Sequence, residues 1–454
     1  MHDRFDAGRL ERILRSDFEL GQHEEIFVAF SGGLDSTTLL HALVSIDSID
    51  PERITALHFN HALNEQAGAW EQHCKEQCRL RGVRMESHPM EPGDPRGRGT
   101  EAMAREARYE WLQAQMSMGS VLMTAHHLND QVETVLANFF RGSGVRGLAG
   151  IRKSRSLAHG SLWRPLLGVV RKSIVEYAIE HGLQWIEDPM NVDCRYTRNH
   201  LRHRVLPVVR EKWRGVDGVI ARSAENWLDA SDLLDEIAES DLAAMRRCRE
   251  GRFNLLSISD LTSHGRRRMT NALRMWFVQC GFEIPHRRRL FNVIDSLITE
   301  EREPTCLVSW PGTEVRRYRD WLYLSATRQR TTFSTLNWDR NATDPVLIHD
   351  RRLVAHPARG TGIRSSVYDN STIIIRPRRG GESCQVPGSL YHKKLKKIFQ
   401  EKGIPPWQRN DIPLLYIGES LAGVVGVCYC QPYAAGENEP GVTFELIEKE
   451  GAYK

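Results

Sequence analysis

Three groups of residues in this chain have types and spacings that could do chemistry. The first is Ser31-Gly32-Gly33-Leu34-Asp35-Ser36, which follows the apolar run Ile26-Phe27-Val28. Adjacent glycines accept unusual dihedrals and let the backbone approach a ligand, and a strand feeding a helix here would aim several N–H groups at one concavity. Such a concavity suits a phosphate. It is not a Walker loop, because no lysine follows the glycines before the Ser/Thr pair. The competing reading is a plain glycine turn with Asp35 decorating the first turn of a helix. The second group is Asp130 and Glu133, preceded by His126-His127. Val132, Val135, Leu136, Phe139 and Phe140 recur at helical spacing, so both carboxylates lie on one face of a first turn. Here the competing reading is a capping box with Asp130 as cap and Glu133 reaching back. A zinc site is not expected, since no further His/Cys pair stands at ligand spacing nearby. The third group, Arg198 and Arg202, suits phosphates and developing negative charge.

These groups need a scaffold, and the first two hundred residues supply its pattern. Ile26–Phe30, Ile54–Phe59, Val83–Met90 and Val121–Ala125 read as strands, separated by helical stretches at 36–45, 66–81 and 101–116. This alternation predicts an α/β domain, a parallel sheet covered on both faces with its ligand at the carboxyl ends of the strands. The character changes near Lys212–Asp217. Residues 219–247 and 266–298 predict a mostly helical middle domain, closed by the β-like Trp321–Leu324. Ala326–Thr343 reads as a linker, and a small β-rich α+β domain begins near Val346. The expected domains are 1–215, 216–330 and 346–454.

Length and composition agree with several domains of a globular protein: 454 residues, 41% hydrophobic and 26% charged. No apolar run reaches the roughly eighteen residues of a membrane span. The first residues lack a secretory leader's apolar core, and the nine cysteines are scattered, so a cytoplasmic, reducing location is expected. The net charge of +4 is unevenly spread. Residues 141–215 hold fifteen Lys/Arg against six Asp/Glu, and residues 376–409 hold nine against two. Two basic stretches far apart point to a long polyanion, with a solvated basic face as the alternative.

The full Ser-Gly-Gly-x-Asp-Ser between a strand and a helix resembles the PP-loop of the N-type ATP pyrophosphatases. Further motifs narrow the resemblance. His126-x-x-x-Asp130-Gln-x-Glu133-Thr, Arg141-Gly-Ser-Gly, Arg164-Pro-Leu-Leu, Glu187-Asp-Pro-Met-Asn, Arg198-Asn-x-x-Arg202 and the C-terminal stretch Lys393–Tyr416 are together similar to the tRNA(Ile)-lysidine synthetases. Three positions depart from that family's pattern. Asn129 stands where an aspartate is common, Asn64 where arginine is frequent, and Met190 where a small polar residue is usual.

What the resemblance implies is specific. The N-terminal domain would be a Rossmann-like PP-loop ATPase that uses ATP and Mg²⁺. Ser31, Gly32, Gly33, Leu34, Asp35 and Ser36 would hold the nucleotide, with Asp35 at the metal. His126 and Arg198 would join Asp35, Asp130 and Glu133 in catalysis. Asp130 and Glu133 would bind free L-lysine, and Arg164, Arg198 and Arg202 the RNA. The reaction would adenylate O2 of the wobble cytidine in an isoleucine tRNA with a CAU anticodon, after which the lysine ε-amine displaces AMP. An ε-amine with a pKa near 10.4 is neutral in only about one molecule in 2,500 at pH 7, a handicap of roughly 4.6 kcal/mol. One of the two carboxylates is therefore expected to accept its proton.

Lys393, Lys394, Lys396 and Lys397 surround Leu395, Ile398 and Phe399, a pattern that fits tRNA recognition or a helix lying on a membrane. The former is expected, with no membrane partner, and a homodimer is compatible with the sequence. Two other functions compete. A tRNA thiolase would need reactive cysteines, for which Cys74, Cys78, Cys194, Cys428 and Cys430 are the candidates. A nucleotide-responsive tRNA-binding protein would not need carboxylates beside a phosphate loop.

Overall fold

Short apolar segments build the sheet that positions the site. In the computed structural model, which describes residues 4–18, 20–21, 25–60, 67–89, 100–250, 253–299, 306–327, 333–339, 346–349 and 351–448, the chain separates into two units, Met1–Leu234 and Asp235–Lys454. After the helix α1 (Ala7–Asp17), the first unit alternates β1 (Ile26–Ala29), α2 (Leu34–Val44), β2 (Ile54–Asn60), α3 (Ala67–Leu80), β3 (Arg84–Pro89), α4 (Thr100–Ala114), β4 (Val121–Met123) and α5 (Leu128–Phe140). Then come α6 (Val145–Leu148), the hairpin β5 (Ser154–Leu157) and β6 (Gly160–Trp163), α7 (Arg171–Glu180), α8 (Thr197–His200) and α9 (Leu206–Lys212).

The strand order is β3-β2-β1-β4-β6-β5. Five strands are parallel, and β5 returns antiparallel at the edge. β1 and β2 are buried almost throughout, as strands covered on both faces must be. One face packs under α1, α2 and α7, with Leu10, Leu14, Leu39, Leu40, Ile174 and Tyr177 in its core. The other packs Phe27, Leu57 and Leu122 against Leu112 of α4 and Met116 just after it. The chain runs outward from β1 through β2 to β3, then crosses back to place β4 on the other side of β1. That reversal opens a crevice at the carboxyl ends of β1 and β4. Residues 31–36 and α5 emerge there, as the sequence pattern predicts. The β5–β6 hairpin carries little strand signal in the sequence, because Ser154–Ser156 is polar and exposed, with only Leu157 buried, and each strand has four residues.

The second unit differs more from expectation. The helix Arg266–Gln279 lies within the predicted 266–298, and the helix Val216–Ala244 begins three residues ahead of the predicted 219–247. They are joined by a five-stranded antiparallel sheet of β7 (Arg247–Glu250), β8 (Phe253–Ser257), β9 (Leu307–Trp310), β10 (Thr313–Tyr318) and β11 (Trp321–Ser325). Helices hold more of the middle region than strands do, as expected, and the five-stranded sheet makes it α+β. Only β11 carries a strong strand signature; β7 is exposed at every position, so no alternation marks it. Farther on, two antiparallel sheets of five and four strands form the β-rich end of the chain. Leu336–Asn337, inside the predicted linker, pairs with Ile374 and Ile375 as an edge strand. Cys384 and Cys430, 46 positions apart, form a disulfide that the scattered cysteines gave no reason to expect.

Candidate active site at the crevice

The turn after β1 is held by its own hydroxyls. Ser36 Oγ accepts from the Ser31 N–H at 3.3 Å, donates to the Gly33 carbonyl at 3.1 Å and lies 3.1 Å from Ser31 Oγ. Gly32 has φ +76°, and a Cβ there would sit 2.6 Å from the Sγ of Cys74, so α3 backs the loop too closely for any side chain. The Gly32 carbonyl accepts from the Ile186 N–H at 2.9 Å, which brings the segment before Glu187-Asp188 against the loop. Gly33 caps α2, and the N–H groups of Leu34, Asp35 and Ser36 in its first turn have no intrahelical acceptor. Leu34 contributes through its backbone, since its side chain belongs to the core.

Asp35 faces three cationic or proton-bearing groups. Its Oδ2 lies 3.7 Å from His127 Nε2 and its Oδ1 3.7 Å from Arg171 Nε. Burial alone would raise its pKa, but His127, Arg171 and Arg202 together hold it below the ordinary aspartate value. Oδ1 is buried without a hydrogen-bond partner among the described residues. A hard carboxylate oxygen left open beside free helix N–H groups fits Mg²⁺, which takes one or two carboxylates plus phosphate oxygens and does not need an all-protein cage. Among the described residues no group of three or more His, Cys, Asp or Glu side chains could hold a metal ion by themselves.

The start of α5 overturns the competing reading of Asp130 as cap. His127, and not Asp130, is the N-cap: the Asp130 N–H donates to His127 Nδ1 at 3.4 Å, and the His127 N–H donates to Asp130 Oδ2 at 3.0 Å. With Nδ1 accepting, the ring proton belongs on Nε2, the atom that faces Asp35. One buried imidazole thus links the loop carboxylate to the helix carboxylate. The final residues of the predicted apolar face, Phe139 and Phe140, are 60% and 66% exposed, so burial ends one turn before the helix does.

Glu133 is buried and takes both of its oxygens to one arginine. Arg202 donates through Nε to Oε1 at 2.7 Å and through Nη2 to Oε2 at 3.0 Å, and Nη2 also reaches Asp130 Oδ1 at 3.3 Å. Burial works against the Arg202 charge, yet these carboxylates raise its pKa further. Arg202 sits on a π-helical turn, Leu201–Val205, in which the Leu206 N–H reaches back five residues to Leu201. Pro207 follows and has no N–H to continue an ordinary ladder.

Arg198 donates through Nη2 to Thr134 Oγ1 at 3.0 Å and is otherwise exposed. His126 Nδ1 pairs with Thr124 Oγ1 at 2.8 Å. Burial pushes the His126 pKa down to about 4, opposed by Asp130 and helped by Arg164, Arg198 and Arg108, so its ring is neutral near pH 7. Arg164 is buried and donates to the Arg152 carbonyl at 2.7 Å.

His127 and Arg171 join the site although neither was singled out by the sequence reading. His127 is masked by the doublet with His126, and Arg171 stands four residues after Arg164-Pro-Leu-Leu, outside the motif itself. Asn129, the departure from aspartate, accepts from the Arg171 N–H at 3.2 Å and so pins the start of α7. Asn64 lies outside the described residues, and the backbone at Met190 runs through a short helical turn, Pro189–Val192.

The four lysines lie in the second unit. Lys393 and Lys394 form a strand paired with Ser383 and Cys384, and the helix Leu395–Glu401 follows. Leu395, Ile398 and Phe399 are buried in a core with Leu414 and Val424. The apolar face that a membrane would need is already covered. Among the described residues no helix is long and apolar enough to cross a membrane. Lys393 pairs with Glu401 at 3.2 Å, while Lys394, Lys396 and Lys397 are exposed.

Three family models match: a PP-loop domain over residues 6–209, the TilS substrate binding domain over 256–323 and the TilS substrate C-terminal domain over 373–446. Among curated proteins, the tRNA(Ile)-lysidine synthase of Coxiella burnetii is 36% identical over 441 residues, covering 96% of each chain. That of Alkalilimnicola ehrlichii is 35% identical over 425 residues, covering 94% of each. That of Legionella pneumophila strain Paris is 36% identical over 410 residues, covering 90% of this chain and 92% of the relative.

Proposed function

The chain belongs to the tRNA(Ile)-lysidine synthase family, ligases with a PP-loop ATP-binding domain, and from that premise we propose that it joins free lysine to C2 of the wobble cytidine of a CAU-anticodon isoleucine tRNA. ATP is split into AMP and pyrophosphate, the cytidine O2 is adenylated and the amine then displaces AMP, so that the anticodon reads AUA in place of AUG. The observation that carries this reading is the linkage of Asp35 to Asp130 through His127 at one crevice. It sets a phosphate loop beside a pair of carboxylates, which nucleotide binding alone does not require. Residues 1–215 would be catalytic, and 216–330 and 346–454 would bind tRNA.

Each side chain has a task in this scheme. The N–H groups of Leu34, Asp35 and Ser36 receive the phosphates, and Asp35 is the residue that would hold Mg²⁺, which would supply stabilisation of negative charge on the phosphates. Glu133 is occupied on both oxygens by Arg202, so its task is to fix that guanidinium toward the RNA phosphate or the departing AMP. Asp130 keeps more exposure, and its Oδ1 contact with Arg202 is the longer one at 3.3 Å. It is therefore the carboxylate that receives the lysine ammonium and then its proton. His126, neutral at pH 7, accepts or donates a hydrogen bond without opposing the amine.

The sulfur-transfer alternative loses every candidate but the half-exposed Cys194, since Cys428 is buried with its thiol pushed up to about 11. Burial pushes the thiols of Cys74 and Cys78 up to about 12 and about 11, and Cys430 is bonded to Cys384. The test is pyrophosphate release from ATP and Mg²⁺ with unmodified CAU-anticodon isoleucine tRNA, with and without lysine, against an elongator methionine tRNA. Lysine incorporation confined to the isoleucine tRNA is expected. Pyrophosphate release without lysine transfer would sink the assigned nucleophile.

A further inference from the structure

Trp407 belongs to the β-rich end of the chain, yet its ring sits on the middle sheet, both inside the second unit. Its centroid lies 5.4 Å from that of Tyr323 on β11 and 6.1 Å from that of Tyr318 on β10, edge-to-face in both cases. The guanidinium of Arg316 stands 5.2 Å from the same centroid. Arg316 is itself paired with Glu314 at 3.1 Å and only 13% exposed, so the cation beside the ring has one fixed place. The rest of this cluster, Phe253, Leu255 and Trp321, is middle sheet as well.

A second contact comes from the turn between β10 and β11. Arg319 there adopts φ +54°, uncommon for a residue that carries a side chain. From that position Nη2 donates to the Gln400 carbonyl at 2.6 Å, in the last turn of the helix Leu395–Glu401, where carbonyls without an intrahelical donor attract a cation. Gly403 follows with φ +74°, and a Cβ there would lie 3.2 Å from Arg319 Nη1. The chain between the two contacts is stiff. The Ile404 N–H donates to the Phe399 carbonyl at 2.8 Å, and the buried Arg409 donates through Nε to the Ile404 carbonyl at 2.9 Å. A tilt of Trp407 is thereby passed to the helix that carries Lys396 and Lys397.

We propose that Trp407 and Arg319 are positioning residues: they fix the angle between the middle sheet and the helix Leu395–Glu401, so that the two parts meet the tRNA as one rigid grip, and neither side chain touches the RNA. Once one part of a rigid pair has bound, the other is presented at a high effective concentration. A loosened joint forfeits that gain although every contact can still be made. This rests on the reading of tRNA as substrate and of both parts as its binding surface.

The experiment measures lysine incorporation, and tRNA binding over a range of salt, for the unaltered protein, Trp407→Ala, Trp407→Phe, Arg319→Ala and the double alanine variant. Thermal melting verifies folding, and the exposed Arg319 keeps the test open should Trp407→Ala not fold. Trp407→Ala is expected to raise the KM for tRNA roughly tenfold while kcat at saturating tRNA and the KM for ATP hold, and Arg319→Ala should act in the same direction. Because each phosphate contact survives, the slope of log affinity against log salt should not change. Trp407→Phe should restore most of the affinity, and the double variant should be no weaker than Trp407→Ala, since a joint already loose has nothing further to lose. Losses that add, or a shallower salt slope in Arg319→Ala, would mean direct RNA contact and overturn the proposal, as would an unchanged KM for tRNA in both single alanine variants. If the unaltered protein incorporates no lysine into the isoleucine tRNA, the substrate reading falls; if it does and both single alanine variants keep its KM, the joint falls alone.

Discussion

Each unit contains one basic stretch, residues 141–215 in the first and 376–409 in the second, and the two hold their cations in opposite ways. At the crevice of the first unit Arg202 is locked by Glu133 and Asp130, and Arg171 stands against Asp35. On the helix Leu395–Glu401 of the second, Lys396 and Lys397 extend into solvent. An arginine fork fixed by a buried carboxylate keeps one orientation and can meet a particular oxygen. Solvated lysines have no fixed aim, but they release counterions from a polyanion and so supply affinity. Under the proposed function, geometry-dependent chemistry belongs to one unit and salt-dependent binding to the other.

The sharpest way to break that assignment is Asp35→Asn. It keeps the shape of the loop and removes the charge, so pyrophosphate release should slow roughly a hundred- to a thousandfold while tRNA affinity holds. A filter-binding titration beside a pyrophosphate assay would show whether the two effects separate. Next is Arg202→Met, which leaves Glu133, 1% exposed, without its partner. Breaking a buried pair costs about 3–5 kcal/mol; with Arg202 itself 30% exposed, a loss of about 2 kcal/mol is expected in urea unfolding. Stability unchanged by this substitution would mean that Glu133 is rehydrated and not locked.

Smaller effects probe the other side of the comparison. Replacing Lys394, Lys396 and Lys397 with glutamine should make the slope of log affinity against log salt shallower by about 2–3, with ATP affinity as the control. A slope that does not move would remove these lysines from the tRNA contact. The smallest change is expected for Asn129→Asp. Either side chain can accept from the Arg171 N–H, and the added charge at the start of α7 should stabilise by less than about 1 kcal/mol. Loss of lysine transfer in that variant would show that the uncharged amide matters to the site.

Much of this was legible in the chain because the signals are local. Ser31–Ser36 between an apolar strand and a helix, and Asp130 with Glu133 in a first turn, are set by neighbours within a few residues. Glycine tolerance and helical period are properties of such short spans. The strand-helix alternation of residues 26–140 made the parallel sheet readable for the same reason. The middle sheet was not readable, since β7 is wholly exposed and its pairing with β8 supplies the order its own sequence lacks.

By itself, then, the sequence determined which residue types are available and where each begins its element: the phosphate loop, the carboxylate pair, the basic stretches and the exposed lysines beside a buried apolar face. Only the tertiary structure decided their partners. Arg202 is 69 residues from Glu133, and Arg171 is far from Asp35 in the chain. His127 became the joint between two carboxylates because the strand order β3-β2-β1-β4 puts the ends of β1 and β4 side by side. Cys384 found Cys430 for the same physical reason. Such pairings are made by sheet order and side-chain packing across long loops, and the spacing of residues along a chain carries no record of which distant groups will be brought within hydrogen-bond reach.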